Sequence, residues 1–110
     1  HIELASVQDA DSAVAGAKNA FIDWSKKPAR DRADVLLKLA DIFRRERFHL
    51  MALQVYEVGK TWVEADGDVC EAIDFCTYYA QEMLRLDAGE RVSFVQGEDS
   101  RYVYRPRGVT

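Results

Sequence analysis

Residues 54–64 read QVYEVGKTWVE, and the fold turns on how Gly59-Lys60-Thr61 is understood. One reading is the tail of a phosphate-binding loop, G-x-x-x-x-G-K-[ST], in which a glycine-rich turn from strand to helix cradles phosphates on its backbone N–H groups. The position five before Gly59 is Gln54, however, and the approach is long, charged and amphipathic, unlike a short buried strand. The other reading is a corner. Gly59 ends one helix in the left-handed conformation that glycine adopts without steric cost. Thr61 with Glu64 then matches the capping box T-x-x-E, which satisfies two orphan N–H groups at the start of the next helix. This reading leaves Lys60 exposed at the corner and predicts helices on both sides.

Working outward, the downstream helix runs from Trp62 to Leu86, with Trp62, Ala65, Val69, Ala72, Ile73, Cys76, Tyr79, Ala80 and Met83 as its apolar stripe. Gly67 interrupts it, which points to close packing or a local distortion. The upstream run FHLMALQVYEV is apolar over most of its girth, so it is expected to be the most buried element. Before it, Pro28 suits the first position of a helix whose apolar face is Ala29, Ala33, Leu36, Leu37, Ala40 and Phe43. Asp31 in its first turn complements the helix dipole, and RRER at 44–47 kinks or ends it. A first helix spans Asp9 to Trp24, with Ser6 and Asp9 as its start signal and Ala10, Ala13, Val14, Ala17, Ala20, Phe21 and Trp24 on one face. After the turn LDAGE, RVSFV and RYVYR read as two strands around the loop QGEDS. The expected fold is therefore mostly α, about four helices plus a C-terminal β-hairpin.

A chain of 110 residues, 48% hydrophobic and 31% charged, is ordinary soluble globular material of about one small domain. Its formal net charge of -4 argues against nucleic-acid binding. No apolar run approaches the roughly 18 residues of a membrane span, and the first ten residues do not read as a secretory signal. Cys70 and Cys76 on one helix would lie roughly 9 Å apart, beyond a disulfide, and neither they nor His1 and His49 form a metal spacing. Packing thiols in a reducing cytoplasm are the expectation. Glu71 and Asp74 fall on one side of the fourth helix, as a solvated face or as partners of nearby arginines, and Tyr78 and Tyr79 read as packing aromatics. No catalytic constellation is complete. Two strands alone make little stable sheet in water, so the end SRYVYRPRGVT reads as a strand separated from its partners.

The series AVAGAKNAFIDWSKKPARDRADVLLKLADIFRR, EVGKTWVEADGDVCEAIDFCTYYA and GEDSRYVYRPRGV resembles the N-terminal region of the aldehyde dehydrogenase superfamily. Within it, EVGKTW, EAIDF, YYA and QGEDS look most like the 1-pyrroline-5-carboxylate dehydrogenase subgroup, although Gln96 and Ser100 depart from its usual PGEDN. The resemblance implies part of an α/β fold, with residues 1–87 as the helical N-terminal part of the NAD-binding domain and 88–110 as the start of a truncated oligomerisation β-flap. It implies an intact cytoplasmic enzyme of about five hundred residues that oxidises glutamate γ-semialdehyde to glutamate. There a cysteine thiolate attacks the aldehyde, hydride passes to NAD, and a glutamate-activated water cleaves the thioester.

The catalytic cysteine, general-base glutamate, oxyanion-hole asparagine and NAD-binding loop are all expected beyond Thr110. No catalytic, cofactor-binding or metal-binding residue is therefore assigned here, and the chain alone is expected to be inactive and to bind no cofactor. The one transferred site residue is Glu71. In the subgroup the glutamate of EAIDF faces the substrate's amino group along the entrance tunnel, where a carboxylate pairs with an ammonium in a charge-assisted hydrogen bond. A structural partnership with a local arginine is the competing reading of Glu71. With its apolar faces uncovered, the chain is also expected to self-associate. A non-catalytic helical interaction or oligomerisation module is the alternative to the enzyme.

Overall fold

The computed structural model describes residues 4–110, so His1 lies outside the described residues. Four helices precede two short strands: α1 (Val7–Trp24), α2 (Ala29–Arg45), α3 (Arg47–Val58), α4 (Trp62–Asp87), β1 (Glu90–Arg91) and β2 (Arg101–Tyr102). The chain divides into two units, one of α1 with Tyr104–Thr110 and one spanning Ala29–Val103.

In the first unit, α1 begins at a complete capping box. The Asp9 N–H donates to Ser6 Oγ at 3.2 Å, and the Ser6 N–H donates to Asp9 Oδ2 at 2.8 Å. The apolar stripe expected of this helix is present, yet none of its residues is buried. Ala17, Ala20, Phe21 and Trp24 instead face Gly108–Thr110 across a shallow, mostly apolar depression.

The second unit holds the core. Ala29, Ala33 and Ala40 of α2 are buried, with Leu36, Leu37 and Phe43 half-buried beside them. Small residues along that face let α2 approach α4 closely, and Ala65 and Ala80 of α4 are likewise fully enclosed. Ala40, Met51, Ala65, Val69 and Ile73 make one cluster, edged by Phe43, Leu50, Val55 and Cys76. Pro28 stands one residue ahead of α2, within the usual scatter of helix ends. The RRER segment does end the helix: Glu46 is a one-residue break, and α3 starts at Arg47.

Two expectations about the helices change. The run 47–58 is not the most buried element, because only Met51 is buried while Phe48 is 78% and Tyr56 88% exposed. An all-round apolar helix presents more than one face, and α4 covers only one of them. The larger numbers of buried side chains are in α4, with Ala65, Val69, Ile73 and Ala80, and in α2, with Ala29, Ala33 and Ala40. Gly67 is neither a packing point nor a distortion, since a Cβ added there would meet nothing within 4 Å and α4 runs through it unbroken.

The hairpin is shorter than the apolar runs suggest. Its antiparallel ladder pairs Glu90 with Tyr102 and Arg91 with Arg101, extended by the Val92 N–H donating to the Ser100 carbonyl at 3.0 Å. Gly89, at φ 70, makes the turn out of α4. Phe94, at 83% exposed, has no core to enter, although the Arg91 guanidinium stacks on its ring at 5.0 Å.

Candidate functional site

The corner at Gly59 positions everything that follows. Its φ of 72 and ψ of 24 put it in the left-handed region, and its N–H donates to the Val55 carbonyl at 3.1 Å to close α3. Two residues later the Glu64 N–H donates to Thr61 Oγ1 at 3.3 Å, while the Thr61 N–H donates to Glu64 Oε2 at 3.0 Å. The same carboxylate accepts from the Thr61 hydroxyl at 2.8 Å. These bonds, the backbone one first, hold the Glu64 carboxyl below its ordinary value, with the Lys60 charge adding a little. The start of α4 is thus fixed by three hydrogen bonds between Thr61 and Glu64.

Lys60 is not left exposed at the corner. Its ammonium forms an ion pair with Asp68, two turns into α4, and both side chains are partly buried. Its charge is therefore committed within the protein, and the helix–corner–helix context replaces the strand–loop–helix of a phosphate site. Neither reading of the GKT motif from sequence contained this pair. Eight residues separate its members, which matches no helical or capping spacing.

Two arginines fasten the same helix to its neighbours. Arg47, at the start of α3, grips Asp66 with a two-pronged pair, Nε to Oδ1 and Nη2 to Oδ2 both at 2.6 Å. The Asp66 carboxylate raises the Arg47 guanidinium further above its already high value. Arg44, near the end of α2, donates to Asp41 at 2.8 Å and to Thr77 Oγ1 at 3.3 Å. The Thr77 hydroxyl in turn donates to the Ile73 carbonyl one turn back in α4.

With α4 held in this way, Glu71 projects from its exposed side one turn beyond Asp68. No hydrogen bond or ion pair engages it among the described residues. Arg44, Arg45, Arg47 and Arg85 are matched with Asp41, Glu46, Asp66 and Glu82, so the local-arginine reading of Glu71 finds no arginine. Asp74 is also exposed. Beyond them Phe75, Tyr78 and Tyr79 form an exposed aromatic group, Phe75 stacked on Tyr79 at 5.8 Å and Tyr78 edge-on to it at 5.3 Å. The expectation that the tyrosines pack holds between the rings but not against the core.

One recess in this unit is a cleft of about 230 Å³ between the end of α2, α3 and α4. Phe43, Leu50, Leu53, Val69 and Ala72 form its apolar surfaces, and Gln54, Glu57 and Asp68 its polar ones. Glu71 lies outside that lining. Cys70 and Cys76 are separate thiols, each half-buried. Among the described residues no group of three or more metal-ligating side chains converges, and no helix is long and apolar enough to cross a membrane. A dinucleotide needs a glycine-rich turn from strand into helix, and the one Gly-Lys-Thr turn joins two helices with its lysine engaged. The described residues do not fit such a cofactor.

Comparison with known proteins extends over the whole chain. A model of the aldehyde dehydrogenase family matches residues 1–110. The chain is 42% identical over 108 residues, 98% of its length, to 1-pyrroline-5-carboxylate dehydrogenase of Staphylococcus epidermidis. It is 43% identical over 109 residues to 1-pyrroline-5-carboxylate dehydrogenase 2 of Bacillus subtilis. In both comparisons it spans 21% of the relative's length. Among solved structures it superposes on proline utilization A from Bdellovibrio bacteriovorus with a TM-score of 0.92 and 48% identity, over 96% of this chain and 11% of that one. A variant of 1-pyrroline-5-carboxylate dehydrogenase from Thermus thermophilus gives a TM-score of 0.75 at 47% identity, over 82% of this chain and 18% of that one.

Proposed function

The chain belongs to the aldehyde dehydrogenase family, and from that premise we propose that it is the N-terminal helical part of an NAD-dependent 1-pyrroline-5-carboxylate dehydrogenase. The intact enzyme would oxidise glutamate γ-semialdehyde to glutamate in the cytoplasm. One observation carries this reading: the match to bacterial 1-pyrroline-5-carboxylate dehydrogenases runs through 98–99% of the chain at 42–43% identity. Aldehyde dehydrogenases use NAD(P) and are generally oligomeric. In this reading residues 1–87 form the helical part of the nucleotide-binding domain, and 88–110 open the oligomerisation flap.

The role assigned to the chain is architectural, with one contact to substrate. The corner at Gly59 aims α4, and Glu71 meets the ammonium of the amino-acid head as the aldehyde end enters the catalytic chamber. Its exposure and the lack of a competing arginine support this role, because an uncommitted carboxylate can accept hydrogen bonds from a ligand's ammonium. Nucleophile, base and cofactor loop belong to the remainder of the polypeptide.

Steady-state kinetics on the full-length protein test the reading. Oxidation of the semialdehyde should proceed with a kcat/KM well above that for an alkyl aldehyde of equal length. Glu71→Ala should raise KM for the semialdehyde by about tenfold more than for the alkyl aldehyde, the worth of one charge-assisted bond. Equal effects on the two substrates remove Glu71 from recognition, and a protein without aldehyde oxidation removes the enzyme reading. The 110-residue chain alone should be inactive and should self-associate through its uncovered apolar faces. Turnover by the chain alone, or a monomer at every concentration in light scattering, counts against those two parts.

A further inference from the structure

The exposed side of α4 carries more than Glu71. Asp74 and Phe75 follow three and four residues on, then Tyr78 and Tyr79, and all of them are exposed. Neither Glu71 nor Asp74 makes a hydrogen bond or ion pair among the described residues. Two uncommitted carboxylates therefore stand beside three rings, and helical spacing decides which of them meet. Residues three or four apart on a helix are neighbours, whereas adjacent residues do not face each other. Phe75 is thus the neighbour of Glu71 and not of Asp74, which lies on the other flank of Glu71. The rings also fix how Phe75 presents itself. Its centroid lies 5.8 Å from that of Tyr79, with the two planes 21° apart. Four residues advance a helix by about 6 Å, so the stack runs along α4. One face of Phe75 is covered by Tyr79, and the other looks back toward the turn from which Glu71 projects. Tyr78, edge-on to Tyr79 at 5.3 Å, braces the stack from the side.

We propose that Phe75 is a second recognition residue for the substrate ammonium: its free ring face and the Glu71 carboxylate together hold one organic cation. The inference rests on the reading that Glu71 meets that ammonium. The face of an aromatic ring is negative and attracts a cation within about 6 Å of its centroid. Spacing at i and i+4 brings ring and carboxylate to about 5–6 Å at Cβ, close enough to share that cation. The chain makes a contact of the same kind elsewhere, where the Arg91 guanidinium lies 5.0 Å from the Phe94 centroid. The ring also tells the two free carboxylates apart. A cation at Glu71 has a carboxylate and a ring face, whereas a cation at Asp74 has the carboxylate alone, so the ring favours one place for the amino-acid head.

The test is steady-state kinetics on the full-length enzyme with two substrates, the semialdehyde and the same aldehyde lacking its amino group. Phe75→Leu keeps an apolar side chain and removes the ring. It should lower kcat/KM for the semialdehyde about fivefold more than for the aldehyde without the ammonium. Phe75→Tyr keeps the ring and should match the parent enzyme. Fluorinated phenylalanines in place of Phe75 drain charge from the ring face with little change of shape, so the preference for the semialdehyde should fall with each added fluorine. That series keeps the proposal testable should Phe75→Leu fold poorly. Phe75→Leu should also lose less selectivity in a Glu71→Ala background than in the parent, and as much in an Asp74→Asn background as in the parent. Equal effects on the two aldehydes would mean that the rings pack against the remainder of the polypeptide, and would overturn the inference. So would a preference indifferent to fluorine, a Phe75→Tyr enzyme as impaired as Phe75→Leu, or stronger coupling of Phe75 to Asp74 than to Glu71. Glu71→Ala separates the two levels. A selective Glu71 effect without a Phe75 effect sinks only this inference, whereas an unselective Glu71 effect sinks the reading beneath it.

Discussion

Helices α1 and α4 share a capping box, an interior glycine and an apolar stripe, yet four α4 side chains are buried and no α1 side chain is. The two starts are nearly superimposable in chemistry: Ser6 with Asp9 in one, Thr61 with Glu64 in the other, each making the reciprocal pair of bonds. A capping box decides where a helix begins. It says nothing about what the helix will lie against, which depends on a second surface of matching shape. The small residues Ala29, Ala33 and Ala40 of α2 provide such a surface for α4. The stripe of α1, also rich in alanine, faces Gly108–Thr110 at its end, and among the described residues none of its side chains is buried.

The comparison breaks first at the core. Ile73→Ala should cost about 3 kcal/mol in urea unfolding, as deletion of a buried branched side chain does. Val14→Ala on the stripe of α1, at 46% exposed, should cost less than about 0.5 kcal/mol. Similar losses at both sites would mean that α1 is covered in solution as α4 is. The caps come next. Thr61→Ala should lower global stability by about 1 kcal/mol, whereas Ser6→Ala should register as lost amide protection within α1 and little else. Hydrogen exchange read residue by residue distinguishes the two.

Gly67→Ala and Gly16→Ala form a matched pair, since neither position has a neighbour within 4 Å of an added Cβ. Gly67→Ala should raise the global unfolding free energy by just under about 1 kcal/mol, and Gly16→Ala should raise only the helicity of α1 by circular dichroism. In the full-length protein a destabilising Gly67→Ala would show that another segment packs on that side of α4.

The smallest effect is a pH dependence. Hydrogen bonds from Ser6 hold the Asp9 carboxyl below its ordinary 3.8, and those from Thr61 hold Glu64 below its ordinary 4.5. A depressed carboxyl means that the unfolded chain binds the proton more tightly. The stabilisation is therefore complete above the ordinary value and disappears as pH falls through the folded one. Helicity should decline in acid from about pH 4.5 downward, and Glu64→Gln should remove the share belonging to α4.

Much of this was legible from residues alone. Local signals with short reach read correctly: the Ser6 and Thr61 starts, the left-handed stop at Gly59, the break at RRER and the order of four helices and a hairpin. What failed depended on distance in space. The run 47–58 is apolar all round, and nothing in it says that only the side carrying Met51 finds a partner. Gly67 resembles a close-packing position but faces open space. Lys60 with Asp68 and Arg47 with Asp66 are joined over eight and nineteen residues, spacings that no periodic template singles out. Glu71 is proposed only through a family motif, since an exposed glutamate on a helix is by its own chemistry unremarked.

The stop at Gly59 and the start at Thr61 have a consequence for how this stretch of chain can change over time. Together they fix the zero of α4, so each later side chain is aimed by its count from the corner. One inserted residue between Thr61 and Glu71 would swing Glu71 by about 100° around the helix axis, and would separate it from Asp68 or Asp68 from Lys60. Substitutions on the exposed flank leave that count untouched. Length, more than composition, is the conserved quantity to expect between the corner and Glu71, and an insertion of seven residues, close to two full turns, is the smallest that returns Glu71 to about the same direction.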